Sequence, residues 1–354
     1  MFPFILQSED SQNQRKRTFL TDALFSYRMR WKRRRLLMRS LQRRKEISRA
    51  SERQIPQSGV LVFSTMRNEM MRIEHWLAHY RALGVAHFLI VDNASDDGTA
   101  TFLADQPDVS LWTTPESYKA SRFGVDWLTC LQIKYGVGRW CLTVDADELL
   151  VYPDSDTHGL DDLTSHLDAT GRHAFGTLML DMYPKGPVGQ AQYVSGADPI
   201  KTVSWFDADN YRAKLHPVFG NLWIQGGVRD RVFFRSQPER SPTLNKTPLV
   251  KRRRGYAYVT STHQILPRRL NEVFDLGDGT RVSGVLLHTK FLPDIGGKSA
   301  EELTRAQHFE NSDLYQPYYN ALIDDLDLWF EESVFYEGTA QLEAFGLMTR
   351  GTWG

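Results

Sequence analysis

Two aspartates, Asp145 and Asp147, directly follow the apolar segment WCLTV at residues 140–144. In an extended segment, side chains two residues apart lie on the same side. Two neighbouring carboxylates repel each other unless a cation lies between them, and oxygen ligands of this kind suit Mg²⁺ or Mn²⁺. Such an ion keeps positions open for substrate phosphates and stabilises a diphosphate as a leaving group. The pair therefore predicts a divalent-metal site that binds a diphosphate.

Polar residues also follow two earlier apolar segments, with Arg67, Asn68 and Glu69 after the first and the turn 92–99 after the second. In an open parallel sheet, ligands bind beyond the carboxyl ends of the strands, so all three acidic segments are expected at one edge.

The turn 92–99 is rich in Asp, Asn, Ser and Gly and precedes a predicted helix. Its carboxylates can accept hydrogen bonds from a nucleobase or from ribose hydroxyls, and the helix N-terminus adds N–H donors. The alternative is ordinary helix capping by Ser95 or Asp96.

Strand and helix patterns alternate through the first half of the chain and predict an α/β fold. Because βα alternation joins parallel strands through crossover helices, we expect a mostly parallel central sheet with helices on both faces. The predicted strands are 59–65, 86–92, 109–113 and 140–144, and the predicted helices are 69–83, 100–104 and 121–135.

The second half is less regular. Short apolar runs predict strands at 177–182, 228–234, 256–260 and 285–287. Helical spacing predicts carboxyl-terminal helices within 299–345, from Leu303, Ala306, Phe309, Leu322, Leu326, Trp329 and Phe330.

Charge is distributed unevenly along the 354 residues, whose formal net charge is zero. Residues 1–55 hold 15 Lys or Arg and 5 Asp or Glu, a balance of +10, so the remainder carries −10. Residues 18–53 predict a basic helix with an interrupted apolar stripe. Three alternatives remain for this arm: it lies on an anionic membrane surface, it packs on the body as a solvated helix, or it binds nucleic acid. No nucleic-acid partner is expected, since nothing downstream resembles a base-reading module.

The two cysteines, Cys130 and Cys141, both lie in apolar segments and indicate reduced thiols of a cytosolic protein. The apolar start of the chain is only six residues long and lacks a basic region before it, which predicts no secretory signal. No apolar stretch approaches the ~18–20 residues of a membrane span. We therefore expect a cytoplasmic protein, peripheral on the cytoplasmic face of the membrane if the arm binds lipid.

Three segments together resemble the nucleotide-sugar half of family 2 glycosyltransferases with the GT-A fold. They are VFSTMRNE (62–69), FLIVDNASDDGT (88–99) and WCLTVDADE (140–148), and the resemblance is to the bacterial branch whose first motif is Arg-Asn-Glu. The resemblance is specific across residues 59–152 and looser afterwards. Asn93 stands where the family often has a second Asp.

The resemblance implies a role for each matching residue. Arg67 and Glu69 would line the nucleotide pocket, Asp92 and Asp97 would lie near the nucleoside, and Asp145 and Asp147 would hold the metal and the diphosphate. In the looser carboxyl-terminal match, the further residues implied are a glycine loop against the donor (Gly226 and Gly227), a catalytic base (Asp230), and a late histidine on the metal or phosphate (His288, or else His263).

Each of these later residues also has a structural alternative. Asp230 lies between Arg229 and Arg231 and could equally belong to a structural ion pair. These arginines and Lys290 could offset diphosphate charge or lie on the surface. A histidine after an apolar run is often a core or loop residue.

The implied function is metal-dependent transfer of a sugar from a nucleotide-diphosphate donor to the hydroxyl of a carbohydrate or glycolipid acceptor, with inversion, in cell-surface polysaccharide or glycoconjugate synthesis. The implied domains are a basic arm and linker (1–57), a nucleotide-sugar half (58–152), an acceptor and catalytic half (153–298) and a helical segment (299–354).

Two rival functions fit parts of the sequence. A haloacid-dehalogenase-type phosphatase also places DxD after a buried strand, but on its first strand and with Thr or Val where this chain has Leu149. A peripheral membrane scaffold could keep the fold without turnover, although the intact Asp145 and Asp147 argue against it.

Overall fold

The computed structural model describes residues 5–6, 19–295 and 326–354. Within them the strands are β1 (Ile5–Leu6), β2 (Ser48–Ser51), β3 (Leu61–Met66), β4 (His87–Asp92), β5 (Val109–Thr113), β6 (Trp140–Thr143), β7 (Glu148–Val151), β8 (Ala174–Asp181), β9 (Trp205–Phe206), β10 (Arg212–Leu215), β11 (Leu222–Gln225), β12 (Asn245–Lys251), β13 (Ala257–Thr260), β14 (Gln264–Leu266), β15 (Gly284–His288) and β16 (Val334–Phe335). The helices are α1 (Phe19–Arg43), α2 (Ile73–Ala82), α3 (Thr99–Asp105), α4 (Val125–Tyr135), α5 (Leu160–Ala169), α6 (Gly227–Phe233) and α7 (Thr339–Ala344).

The centre of the fold is a nine-stranded sheet with the order β2-β5-β4-β3-β6-β12-β8-β15-β7. The strands β5, β4, β3 and β6 are parallel, as the crossover helices between them require. Farther along, β12 runs antiparallel to both β6 and β8, β15 is parallel to β8, and β7 closes the far edge antiparallel to β15. The predicted α/β class, with a large Rossmann-like central sheet, is confirmed.

Helices cover both faces of the sheet because successive side chains along each strand point to opposite faces. Leu61 and Phe63 pack with Trp127 of α4 on one face. Val62 packs with Trp76 of α2 on the other. Fully apolar parallel strands are buried on both sides in this way.

Strands from three predicted segments share this sheet: β2 from 1–57, β3 to β7 from 58–152, and β8, β12 and β15 from 153–298. The first two predicted boundaries, 57/58 and 152/153, therefore separate strands of one continuous sheet, and the division into functional halves stays a prediction.

The predicted basic helix is present as α1, but it ends at Arg43 instead of continuing to residue 53. Residues 48–51 instead form β2, which pairs antiparallel with the otherwise open edge of β5. The inner side of α1 packs on α4, where Arg39 and Ser40 donate hydrogen bonds of 2.8 Å to the buried carboxylate of Asp126. No helix among the described residues combines the length and apolar character that a membrane span needs.

The predicted strand 228–234 is wrong, because these residues form α6. Residues 228–234 read VRDRVFF and have no strand-like alternation of apolar and polar side chains, whereas Val228 and Val232 have the i, i+4 spacing of one helix face. Both valines pack in the same apolar cluster.

The predicted helix over 299–345 is wrong for residues 326–338 and holds for α7. Here Asp327 accepts a hydrogen bond from the Trp329 N–H (2.9 Å), and Ser333 accepts one from the Phe330 N–H (3.0 Å). Such local side-chain bonds to backbone compete with helix formation. The positions Leu303, Ala306, Phe309 and Leu322 lie outside the described residues.

Candidate functional site

Asp145 and Asp147 lie in the turn between β6 and β7, at the carboxyl edge of the parallel strands. The prediction that they belong to an extended segment is wrong, because the backbone turns here and the Glu148 N–H lies 3.2 Å from the Asp145 carbonyl oxygen. Both carboxylates reach solvent, with side chains 48% and 24% exposed. The acidic pair is thus open to a ligand from the edge of the sheet.

Asp147 begins a chain of charged side chains that runs into the protein. His288, at the end of β15, places Nε2 3.1 Å from Asp147 Oδ2 and Nδ1 2.6 Å from Asp181 Oδ1. The other oxygen of Asp181 accepts a 2.7 Å hydrogen bond from Arg229 Nε. Asp181, His288 and Arg229 are all buried. Two carboxylates therefore fix the orientation of this imidazole ring.

Within this series of side chains, the neighbouring opposite charges favour the charged forms of His288, Asp181 and Asp147. Burial alone would lower the pKa of His288, but the carboxylates of Asp147 and Asp181 outweigh it and raise the pKa. Burial alone would raise the pKa of Asp181, but Arg229 and His288 lower it to about 2. The pKa of Asp147 is likewise held well below its ordinary value, against burial, chiefly by His288.

Asp145 has a different partner, Lys246 of β12. The ammonium donates to Asp145 Oδ2 at 2.9 Å and also to Glu148. The side chains of Lys246 and Glu148 are only 4% and 1% exposed. Burial would lower the pKa of Lys246, but the two carboxylates raise it above its ordinary value. An ammonium therefore already neutralises part of the acidic turn.

Sequence reasoning missed Lys246 and Asp181. A lone lysine before Thr-Pro carries no metal-ligand or nucleophile spacing, and Asp181 ends a long apolar strand far in sequence from its partners. The one available signal was that each charged group borders a buried strand, where an unpaired charge is costly.

The Arg67–Glu69 segment and the turn 92–99 interlock. Asn68 N–H donates to Ser95 Oγ (3.0 Å), while Asn68 Oδ1 accepts from the Asp96 N–H (3.0 Å). Beside them, Arg67 Nη1 donates to the Asn93 carbonyl (2.9 Å) and Glu69 N–H donates to Thr99 Oγ1 (2.9 Å). These bonds fix the two strand-end loops as one rigid unit next to the acidic turn.

The carboxylates of Asp92 and Asp97 take part in the same unit. Asp92 is buried and accepts the Ser95 N–H at 3.0 Å. Asp97 accepts the Met70 N–H (2.9 Å) and both the N–H (2.9 Å) and hydroxyl (2.6 Å) of Thr99. The expected bonding at the start of the helix is present, but Asp97 provides it instead of Ser95 or Asp96. Contact of Asp92 and Asp97 with a nucleoside stays a prediction.

Asn68 has a backbone φ of +53°, in the left-handed region. Replacing Asn68 with glycine removes the side-chain bond to Asp96 and keeps the backbone conformation easy to adopt. Replacing it with alanine adds the left-handed strain of a Cβ, which costs about 1 kcal/mol. We expect both variants to be less stable than the parent, with Asn68→Ala about 1 kcal/mol below Asn68→Gly in urea unfolding. Equal stabilities of the two variants would show that this conformation is not strained.

Glu69 and the end of β15 are joined by a buried arginine. Arg72 Nε lies 3.0 Å from Glu69 Oε2, and Arg72 Nη1 donates to the Thr289 carbonyl at 3.3 Å. Thr289 N–H in turn donates to the Asp147 carbonyl at 2.7 Å. The first-strand motif, the acidic turn and the His288 strand are thus one connected structure.

Gly226 and Gly227 lie at the start of α6. A Cβ on Gly226 would lie 2.5 Å from the Asn210 carbonyl oxygen, so the backbone approach requires glycine. Asp230, the predicted base, forms a two-bond ion pair with Arg212, with both distances 2.8 Å.

The neighbouring arginines bind elsewhere: Arg229 binds Asp181 and Arg231 binds Asp207. The alternative that Asp230 belongs to a structural ion pair is confirmed, with Arg212 as its partner, and the predicted surface position is wrong for Arg229, which is buried.

The structure brings His288, not His263, to Asp147. His263 Nδ1 lies 2.7 Å from the Asn245 carbonyl, and burial is the main cause that lowers its pKa to about 4. Among the described contacts of Asp230, none reaches Asp147 or His288.

Carboxylates such as those of Asp145 and Asp147 are ligands that Mg²⁺ and Mn²⁺ accept, with water or phosphate in other positions. In each residue one oxygen, Oδ2, already contacts a basic side chain, Lys246 or His288. Within residues 5–6, 19–295 and 326–354, no group of three or more His, Cys, Asp or Glu side chains forms a ready-made metal cage. Any metal here would therefore take part of its coordination from outside the described side chains.

No family model and no curated protein matches this chain. Among solved structures, it is similar to the mannosyltransferase PcManGT from Pyrobaculum calidifontis, determined in complex with GDP-Man and Mn²⁺, at 19% identity and a TM-score of 0.25. The match covers 47% of this chain and 46% of that one, so this chain spans less than half the length of its neighbour. The α/β fold class rests on the sheet topology described above.

Proposed function

We propose that this protein is a metal-dependent glycosyltransferase that moves a sugar from a nucleotide-diphosphate donor to an acceptor hydroxyl. The main support is the contact between Asp147 and His288, which are 141 residues apart in sequence. Asp147 directly precedes β7, and His288 ends the neighbouring strand β15. The resemblance of the sequence to family 2 glycosyltransferases implies this juxtaposition, with an acidic turn and a late histidine at the diphosphate.

In this proposal the open carboxylates of Asp145 and Asp147 hold Mn²⁺ or Mg²⁺, which neutralises the leaving diphosphate. Asp181 and Asp147 hold the His288 ring from both sides. The interlocked loops 67–69 and 92–99 receive the nucleoside.

Asp230 is proposed as the base that removes the acceptor proton, with inversion at the sugar carbon. A base has to lie within hydrogen-bond reach of the acceptor hydroxyl. Because both Asp230 oxygens bind Arg212, an acceptor has to compete with that guanidinium. We propose a carbohydrate or glycolipid acceptor in cell-surface polysaccharide or glycoconjugate synthesis, on the cytoplasmic side.

The phosphatase alternative is disfavoured by strand position. Such an enzyme places its DxD motif after the first strand of its sheet, whereas Asp145 follows β6, after β3, β4 and β5. The position at which such an enzyme carries Thr or Val is Leu149 here, buried within β7.

A screen of nucleoside diphosphates by thermal shift, with Mn²⁺ and with EDTA, tests the proposed donor site. We expect one nucleoside diphosphate to raise the melting temperature only when Mn²⁺ is present, because the cation links the ligand to the carboxylates. At a ligand concentration 100 times Kd, the stabilisation is about 2.7 kcal/mol. The nucleoside without phosphates serves as the control. If no diphosphate shifts the melting temperature in either condition, the proposed donor site is wrong.

A further inference from the structure

The long basic helix α1 has two different faces. Its inner face packs on the body, with Phe25, Met29, Leu36 and Leu37 half-buried and Ser40 fully buried. These contacts bury part of only four of the nine large apolar side chains in residues 22–43.

The other five form an outer stripe, defined as Leu24, Tyr27, Trp31, Met38 and Leu41. These side chains are 57%, 52%, 46%, 60% and 43% exposed. Their spacings of three, four, seven and three residues put them on one face of the helix. The described residues therefore leave a large aromatic and aliphatic ridge facing solvent.

Cations border this stripe on both sides. The helix contains eight Lys or Arg and a single acid, Asp22. On a helix of 3.6 residues per turn, Arg28 and Arg35 lie on one side of the stripe and Arg30 and Arg34 on the other, all within about 80° of its centre. All four side chains are exposed.

A groove of about 1270 Å³ opens beside the stripe, between α1 and Val218. Four of its lining side chains are cationic: Arg28, Lys32, Arg35 and Arg39. Groups of several cations around an apolar ridge suit phosphate-bearing headgroups next to acyl chains.

The body fixes this helix in place. Arg39 and Ser40 each bond to Asp126 at 2.8 Å, and the Lys32 ammonium lies 4.7 Å from the centre of the Phe219 ring. A 25-residue helix is about 37 Å long, so the outer stripe is a long, preformed ridge.

We propose that the outer stripe is a docking surface for an anionic lipid bilayer. In this arrangement α1 lies in the plane of the interface, the stripe enters the boundary between headgroups and acyl chains, and the flanking arginines bind anionic headgroups. The proposal does not depend on the reaction that the acidic turn performs.

Two other occupants fit the surface less well. A second copy of the helix, stripe against stripe, would bring Arg28, Arg34 and Arg35 against the same residues of its partner. A nucleic acid needs cations at the centre of the contact, where this helix has Leu24, Met38 and Leu41.

Co-sedimentation of the full chain with vesicles tests the proposal. We expect binding to phosphatidylcholine vesicles that contain about one third phosphatidylserine, weaker binding to phosphatidylcholine alone, and loss of binding as salt is raised. The double variants R34E/R35E and W31S/M38S should each lower the partition coefficient at least about tenfold, since they remove the electrostatic and the apolar contributions separately.

The matched control is R235E/R254E, which makes the same charge change at exposed arginines outside α1. It should retain binding within about twofold. Equal loss in the control and in R34E/R35E would mean that overall charge, not the stripe, drives binding, and would overturn the proposal. Two other results would overturn the proposal. In the first, the parent protein does not bind these vesicles but binds duplex DNA through Arg34 and Arg35. In the second, sedimentation velocity shows that the parent is a dimer and that W31S/M38S is a monomer. The nucleotide screen reports on the acidic turn independently of all these outcomes.

Discussion

Replacing Asp147 with asparagine is expected to abolish sugar transfer and Mn²⁺-dependent nucleotide binding. The substitution keeps the shape of the side chain but removes the charge that faces both the proposed cation and His288. Loss of about 3 kcal/mol of charge stabilisation lowers the rate by more than about 100-fold. The measurement is release of nucleoside diphosphate from a panel of nucleotide sugars, together with calorimetric titration of Mn²⁺.

The matched control is Asp105→Asn, at the exposed end of α3, which should keep parental activity. An Asp147→Asn protein that retained more than half of the parental turnover would rule out a catalytic cation at this turn. If the protein is a scaffold without turnover, the parent has no transferase activity, and the Asp147→Asn variant still binds its partner.

The second large effect is expected on stability, from Lys246→Met. Removing the ammonium leaves the Glu148 carboxylate buried without its cation, next to Asp145. Removal of one partner from a buried ion pair costs about 3–5 kcal/mol. Denaturant unfolding monitored by circular dichroism measures this change.

Lys251 of the same strand provides the control. It pairs with Asp168 at 2.8 Å, but both side chains are more than one third exposed, so Lys251→Met should cost less than about 1 kcal/mol. The double variant Lys246→Met with Glu148→Gln should recover part of the stability, because the uncompensated buried charge is gone. Similar losses in Lys246→Met and Lys251→Met would mean that the buried cluster is no stronger than a surface pair.

The parallel half of the sheet could be predicted from sequence because each strand is a continuous apolar run between helical segments. Val109–Thr113 matches β5 to the residue, and the other predicted strands of this half match within one or two residues at each end. Burial on both faces leaves little freedom for other side chains in such strands.

The strand β12 was not predicted, although it lies at the centre of the sheet. Pro248 cannot donate a hydrogen bond and normally excludes a central strand. Here the register shifts between Lys246 and Leu249, and this irregularity accommodates the proline. Because the strand was missed, the lysine that it brings to the acidic turn was missed too.

The candidate site was predictable only in part for a similar reason. Local sequence identifies Asp145 and Asp147, and family resemblance adds His288. The pairing of Asp181 with His288 and Arg229 depends on sheet register and on the placement of α6, which no local pattern encodes. The pairing of Asp230 with Arg212 is equally non-local.

The position of β12 has a consequence for synthesis of the chain. Lys246 follows Asp145 by 101 residues. At ribosomal rates of about 5–20 residues per second, β12 is therefore synthesised about 5–20 s after β6. During that interval β6 is an open edge able to pair with another nascent chain. Sheet closure, when it comes, also delivers the ammonium to the acidic turn. Partial neutralisation of the acidic turn therefore coincides with one late, long-range step of folding.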